Sequence, residues 1–308
     1  MNRWLWIIVL SACVCLFTGC PSSNEGNRSK TDGNVGQWKT QKRKLPSILV
    51  DAEWLANNLS MTDLLVIDVR SEMEYAEKHI GGAVNLPWTR TNDIAREDFQ
   101  VASYTVIGTV MGAVGIERGR PVVLYDAGMF IDSTRVFWVL EAHGHTNVAV
   151  LDGGFQLWQA NGGAESQVRT PIKPRQFEVR MRPDTMSSKL LTRRALEKEN
   201  VTILDCRKPE EYRGEKSIID RKGRIPGSVN VEWVENFREV PEGRRLLSIE
   251  ALKALYEITG DRRIIAYCNK GRQAAGAYFA LRMLNRKVSV YDGAWYEWGT
   301  DPNLPIEK

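Results

Sequence analysis

The chain carries the same stretch of sequence twice, and this internal repeat constrains its fold more than any other feature. Residues 64–88 read LLVIDVRSEMEYAEKHIGGAVNLPW, and residues 201–233 read VTILDCRKPEEYRGEKSIIDRKGRIPGSVNVEW. Each opens as an apolar, β-branched strand ending in Asp, passes through x-Arg into a short acidic helix ending near Tyr, and closes on Gly-x-Val-Asn. Asp68, Arg70, Glu74 and Tyr75 match Asp205, Arg207, Glu211 and Tyr212 at identical offsets, and the second copy carries eight extra residues before its Gly-x-Val-Asn segment. The repeat continues. Residues 120–126 (RPVVLYD) pair with 263–268 (RIIAYC), each a buried-strand pattern running into a Gly-bearing loop and then a helix, over 133–141 and 273–284. Val148 to Asp152-Gly-Gly and Val288 to Asp292-Gly-Ala then close each copy with a strand, a turn and an aromatic helix start. Strands alternating with helices call for a parallel sheet covered on both faces. The prediction is an α/β chain of two tandem domains, each a mainly parallel sheet flanked by helices, over 46–164 and 187–308. Residues 165–186, with Pro171, Pro174 and Pro183, form the linker.

The N-terminus stands outside this plan. Asn2-Arg3 is a short basic start, Trp4 to Phe17 is almost unbroken apolar sequence, and Phe17-Thr18-Gly19-Cys20 leads into polar residues. The run is too short for a bilayer span, which needs ~20 apolar residues. Residues 1–19 resemble a bacterial lipoprotein signal peptide. The resemblance implies cleavage before Cys20, lipid on that residue, and a protein held at the cell envelope by its lipid alone, with its domains outside the cytoplasm. An ordinary secretory signal with Cys20 incidental is the alternative. Residues 20–45, rich in Ser, Asn, Gly, Lys and Gln, read as a flexible tether.

Charge and cysteine content narrow the functional classes. With 42 Lys+Arg against 38 Asp+Glu, the net charge of +4 argues against a polyanionic partner, so no nucleic acid is expected. Of five cysteines, Cys13 and Cys15 leave with the signal and Cys20 is modified, so only Cys206 and Cys268 remain in the folded part. Exported disulfide scaffolds carry many more. A reactive thiol is the better reading for at least one of the pair.

Cys268 stands where the first copy has Asp126, at the end of a predicted strand, in Tyr267-Cys-Asn-Lys-Gly-Arg-Gln-Ala-Ala275. Carboxyl ends of strands are where open α/β sheets bind ligands. A tight loop followed at once by a helix brings several N–H groups and the positive end of a helix dipole to one point, which stabilises a thiolate or an anion bound to it. Asn269, Lys270, Gly271, Arg272 and Gln273 are the expected cradle, with Lys270 and Arg272 supplying charge and Gly271 letting the backbone curl. Such a thiolate can attack the outer sulfur of an anionic donor, carry it as a persulfide, and release it to a second nucleophile in two half-reactions. The competing reading is a small buried hydrophobe, as free cysteines often are.

Asp-x-Arg-x-x-x-Glu-Tyr followed by Gly-(Ala/Ser)-Val-Asn, in both copies, resembles the signature near the start of rhodanese domains. Tyr-Asp-Gly-Ala-Trp-Tyr-Glu-Trp-Gly with Asp-Pro-Asn-Leu-Pro-Ile-Glu is similar to the C-terminal signature of the tandem thiosulfate and 3-mercaptopyruvate sulfurtransferases. The resemblance, over residues 46–308, implies a silent N-terminal domain, a catalytic C-terminal one, and transfer of sulfane sulfur from a small anionic donor to cyanide or a thiol. Asp126 fits a silent domain, because a carboxylate cannot carry sulfane sulfur. In the family, thiosulfate enzymes tend to carry Cys-Arg-Lys-Gly and mercaptopyruvate enzymes Cys-Gly-Ser-Gly. Here Lys270 keeps one thiosulfate-type cation, Asn269 replaces the other, and Glu211 sits where a substrate-binding Arg is common. Thiosulfate is the expected donor, with 3-mercaptopyruvate and an envelope-tethered sulfur carrier serving a protein partner as alternatives. A cysteine phosphatase is excluded: its loop needs Arg six positions after the cysteine, where this chain has Ala274.

Asp205 and Arg207 are expected to hydrogen-bond the loop from the neighbouring strand, although an ordinary buried ion pair accounts for them equally. Cys206 reads as packing, with a resolving thiol as its alternative. His143-Gly-His145 looks like a helix end. The tryptophans fall in repeat-equivalent places, Trp88 with Trp233 and Trp158 with Trp298, and read as core or interdomain packing. No metal-ligand cluster and no nucleotide loop stand out, so neither metal nor organic cofactor is expected.

Overall fold

In a computed structural model, residues 43–96 and 99–308 are described. The apolar leader, Cys20 and most of the tether lie outside them.

The first copy runs β1 (Leu49–Val50), α1 (Ala52–Asn58), β2 (Leu65–Asp68), α2 (Glu72–Glu77), β3 (His79–Ile80), β4 (Val84–Asn85), α3 (Tyr104–Ala113), β5 (Val122–Tyr125), α4 (Ile131–Ala142), β6 (Val148–Leu151), α5 (Gly154–Ala160) and β7 (Glu165–Ser166). The second runs β8 (Met186–Ser187), α6 (Lys189–Ala195), β9 (Val201–Asp205), α7 (Pro209–Tyr212), β10 (Val229–Asn230), β11 (Phe237–Val240), β12 (Gly243–Leu246), α8 (Ile249–Leu255), β13 (Arg263–Tyr267), α9 (Ala274–Met283), β14 (Val288–Tyr291) and α10 (Ala294–Thr300).

The two main sheets have one topology. Strand order is β1-β6-β5-β2-β4 in the first and β8-β14-β13-β9-β10 in the second, with every neighbouring pair parallel. The central strands are the fully buried Val/Ile/Tyr runs of the repeat, as a sheet covered on both faces requires. Among the described residues antiparallel pairing lies at the margins, β3 with β7 and β11 with β12, beside the isolated bridges of Asn92 with Val101 and Arg224 with Glu307.

The eight extra residues of the second copy have a structural use. Ser217 accepts from Trp295 Nε1 at 3.0 Å, while Arg221 donates to the carbonyls of Asp301 (2.6 Å) and Leu304 (3.0 Å), which ties down the C-terminal segment. The linker does not hang free. Its Arg180 and Arg182 amides donate to His143 O (3.0 Å) and Ala142 O (2.8 Å) at the end of α4. It passes so close that a Cβ on Gly144, at φ +93°, would lie 2.5 Å from Arg180 O. His143 ends α4 as the sequence suggested, its Nδ1 2.7 Å from Val139 O.

α4 and α9 pack against each other and join the two halves. Phe137 and Phe279 meet edge-to-face at 5.0 Å. Beside them the buried Glu141 carboxylate accepts from Tyr278 Oη (2.7 Å) and from Arg282 Nε (2.9 Å) and Nη2 (3.0 Å). A carboxylate this deep is tolerated because its partners match its charge and lone pairs. One apolar cluster therefore runs from Ile67 and Phe137 in the first half to Phe279 and Val290 in the second.

Candidate active site

Cys268 follows the last residue of β13, the central strand of the second sheet, and the loop after it leads into α9. The main-chain N–H groups of Ala274, Lys270, Gln273 and Gly271 donate to its sulfur. Gly271 makes this possible. Its φ of +78° is the left-handed region, and a Cβ there would lie 2.6 Å from Asp292 Oδ1 and 2.8 Å from Asp292 O.

The amides come from Lys270, Gly271 and Gln273 of the expected cradle and from Ala274, which was not among it, and the thiol is not the low-pKa group anticipated. Cys268 is 1% exposed. Burial pushes its pKa above the ordinary thiol value, and the four amides pull against that rise without cancelling it. Four donors around a buried sulfur suit an anion held there, and the resting thiol uses them only in part.

The first domain shows the same cradle filled permanently. Asp126 Oδ1 accepts from the amides of Gly128 (2.9 Å), Met129 (3.1 Å) and Phe130 (3.2 Å). Its Oδ2 accepts from the amides of Asp132 (3.2 Å) and Ser133 (3.1 Å) and from Ser133 Oγ (3.0 Å). A resident carboxylate thus occupies the place of the sulfur and leaves no thiol to react.

Asp205 and Arg207 are a buried ion pair whose bond toward the cysteine's loop goes to Tyr267, the residue before Cys268. They form a bidentate pair, Nε to Oδ1 at 3.0 Å and Nη2 to Oδ2 at 2.6 Å, with Nη2 also 2.9 Å from Gly223 O. Asp205 accepts from Tyr267 Oη, so the pair braces the residue before Cys268. The silent domain has the same bidentate pair in Asp68 and Arg70, whose Nη2 reaches Lys78 O at 2.7 Å. A feature present equally where there is no cysteine is part of the fold.

The expected contact residues divide. Gly271, Lys270 and Gln273 line the sulfur through their backbones. Asn269 turns sideways, its Nδ2 donating to Glu211 Oε1 at 2.7 Å, while its Oδ1 is buried with no partner among the described residues. Lys270 Nζ lies over the rings of Phe99 (5.1 Å) and Tyr296 (4.9 Å). Arg272 reaches the first domain: its Nε donates to Asp132 Oδ1 at 2.8 Å and its guanidinium stacks 4.1 Å from the Trp88 ring. Trp88 is therefore a platform for a cation, whereas Trp158 and Trp298 are core. Cys206 is fully buried in the apolar cluster, and burial pushes its thiol well up. No disulfide joins it to Cys268. Among the described residues no three potential metal ligands gather, and no helix is long and apolar enough to cross a membrane.

Sequence reasoning missed what the first domain contributes. Arg135, fully buried on α4, donates from Nη1 to Asp292 Oδ1 (2.7 Å) and Gly271 O (3.3 Å) and from Nη2 to Phe99 O (2.8 Å). It thereby holds the cradle's glycine from across the domain boundary. The Val101 amide caps the other oxygen of Asp292 at 2.7 Å. The reciprocal contact exists too: Arg245 Nε reaches Asp152 Oδ2 at 2.7 Å, with the Leu246 amide 3.3 Å from Oδ1. The available signal was the repeated Asp-Gly after the last strand of each copy, together with the one arginine of α4.

Comparison with known proteins agrees with this geometry. A family model described as Rhodanese-like domain matches residues 51–161 and again 189–301. The sulfur carrier protein TtuD of Thermus thermophilus is 30% identical over 282 residues, covering 85% of this chain and 97% of its own. The 3-mercaptopyruvate sulfurtransferase of Escherichia coli K12 is 27% identical over 279 residues, covering 84% and 97%. Among solved structures, SseA of Escherichia coli, a 3-mercaptopyruvate sulfotransferase with the rhodanese fold, superposes with a TM-score of 0.72 at 27% identity over 81% of this chain and 99% of that one. A structure of EanB with a cysteine persulfide and ergothioneine superposes with a TM-score of 0.76 at 26% identity, over 85% and 70%. With one matching domain after another along its folded length, the chain belongs to the rhodanese-like sulfurtransferase family.

Proposed function

We propose that this protein transfers sulfane sulfur through a persulfide on Cys268, with thiosulfate as donor and cyanide or a thiol as acceptor. The observation that carries the reading is the set of four amides aimed at one buried sulfur, which has no structural need of them as a neutral thiol. In the first half-reaction the thiol loses its proton to solvent, and the thiolate attacks the outer sulfur of thiosulfate. The bond between the two donor sulfurs breaks, and sulfite leaves with the electron pair. The enzyme is left as Cys–S–S⁻, whose charge the N–H groups and the N-terminal end of α9 stabilise. In the second half-reaction cyanide attacks the terminal sulfur, thiocyanate leaves, and the thiolate returns.

Lys270 at the rim favours an anionic donor, and the absence of a serine hydroxyl in the loop removes one group that mercaptopyruvate chemistry could use. Glu211, bound to Asn269, works against tight thiosulfate binding, so a high KM is expected. Delivery to a protein acceptor is the second reading, supported by the depth of the thiol and by similarity to a sulfur carrier protein. Steady-state thiosulfate:cyanide turnover tests the pair. The enzymatic reading requires many turnovers, lost in Cys268→Ala, whereas a carrier takes up one sulfur per chain and then stalls with small acceptors.

The leader sequence supports lipid attachment at Cys20 and an envelope location. Labelled palmitate should enter the wild-type protein in a bacterial host and fail to enter Cys20→Ala.

A further inference from the structure

We propose that Asp132 of the silent domain is a positioning residue that sets the enzyme's hold on anionic donors by clamping Arg272 of the catalytic loop. The inference rests on the persulfide reading above and adds to it a determinant of donor binding that lies outside the catalytic domain.

Two cations rise from the loop, and the first domain receives both. Lys270 lies over Phe99. Arg272 lies over Trp88, which itself meets Phe99 edge-on at 5.9 Å. The two side chains thus flank one aromatic pair. Arg272 is two-thirds buried and bonds Asp132 through both Nε and Nη2, so an ionised Asp132 cancels its charge. Beside this pair a cavity of about 530 Å³ opens between Trp88, Met129, Ile131 and Asp132, which gives the arginine room to swing when its partner lets go.

Asp132 is built to let go within an accessible pH range. Burial raises its pKa to about 6, and Arg272 opposes the rise while the carboxylates of Asp126 and Glu74 add to it. Of the other charged residues lining the cavity, Arg70 is paired with Asp68 and Arg90 with Glu72, Glu74 accepts from Ser71, and Asp126 accepts from the amides of its own loop. Protonating Asp132 therefore adds one net positive charge at the rim, and the group that responds is Arg272. A full charge gained on a loop residue four positions after the cysteine changes the binding of a dianionic donor by about tenfold.

The test is the loading half-reaction, read as sulfite released per chain against thiosulfate concentration at pH 5.5 and 7.5. Wild type should show a half-saturating concentration about tenfold lower at pH 5.5, while its limiting rate falls there in every variant alike as the Cys268 thiolate is lost. Asp132→Asn should have the low value at both pH values, Arg272→Gln the high value at both, and the double variant should match Arg272→Gln. That split between half-saturation and limiting rate, and its disappearance without Arg272, is not what a merely structural role would give. If Asp132→Asn loads sulfur with the wild-type half-saturation and pH dependence, the inference is overturned. If wild type releases no sulfite at any concentration, the persulfide reading itself fails and takes this one with it.

Discussion

Replacing Asp126 by asparagine separates a filled cradle from an idle one. The carboxylate accepts six hydrogen bonds, three at each oxygen, and the residue is almost wholly buried. Asparagine keeps the shape but turns one oxygen into a donor. The less costly placement puts the NH₂ on the Oδ2 side, where the Ser133 hydroxyl can rotate to accept. The amides of Asp132 and Ser133 then lose their acceptor, at roughly 1–3 kcal/mol each for a buried unsatisfied donor. The three bonds at Oδ1 also weaken, because their acceptor is no longer charged. The sum is about 4 kcal/mol. For a folded unit of this size, roughly 2–4 °C per kcal/mol makes that a fall in Tm of about 10 °C. Urea unfolding followed by tryptophan fluorescence, with calorimetry alongside, measures it. A loss below about 1 kcal/mol would refute the view that the silent domain is organised around a resident anion.

Three further outcomes follow from the same contacts. Arg135→Met should cost about 3–5 kcal/mol in urea unfolding, since it leaves the Asp292 carboxylate buried without its charge partner. Gly271→Ala should destabilise by at least ~2 kcal/mol, from left-handed strain and the contact with Asp292, and should slow sulfite release more than tenfold in a stopped-flow assay. Asp132 is raised in the folded chain to about 6 from an ordinary aspartate value, so it binds more protons folded than unfolded between those limits. Its contribution to stability is therefore present below about pH 4 and is lost as pH rises through about 6. Unfolding free energies of wild type relative to Asp132→Asn should fall by about 3 kcal/mol across that window.

Much of the architecture was legible because the repeat is written in residues whose local preferences agree with the fold. The β-branched runs at 65–68, 122–125, 201–205 and 263–267 became the central strands. Cys268 and its glycine could be placed because a cysteine, a left-handed turn and a helix start lie within seven residues of one another. What the sequence left hidden was made by distance along the chain. Arg135 and Asp292 are 157 positions apart, and Arg272 and Asp132 are 140 apart. No local pattern reports that one half's helix steadies the other half's loop. The protonation of Cys268 was hidden for a related reason. The amides that lower its pKa are local and could be counted, whereas the burial that outweighs them comes from the whole surrounding core.

The most direct test of the central claim is the intact mass of the purified chain after exposure to thiosulfate and removal of excess. The account predicts a gain of one sulfur atom that cyanide removes, present in wild type and absent from Cys268→Ala. A wild-type mass that does not change, or an equal gain in the Cys268→Ala protein, would contradict it.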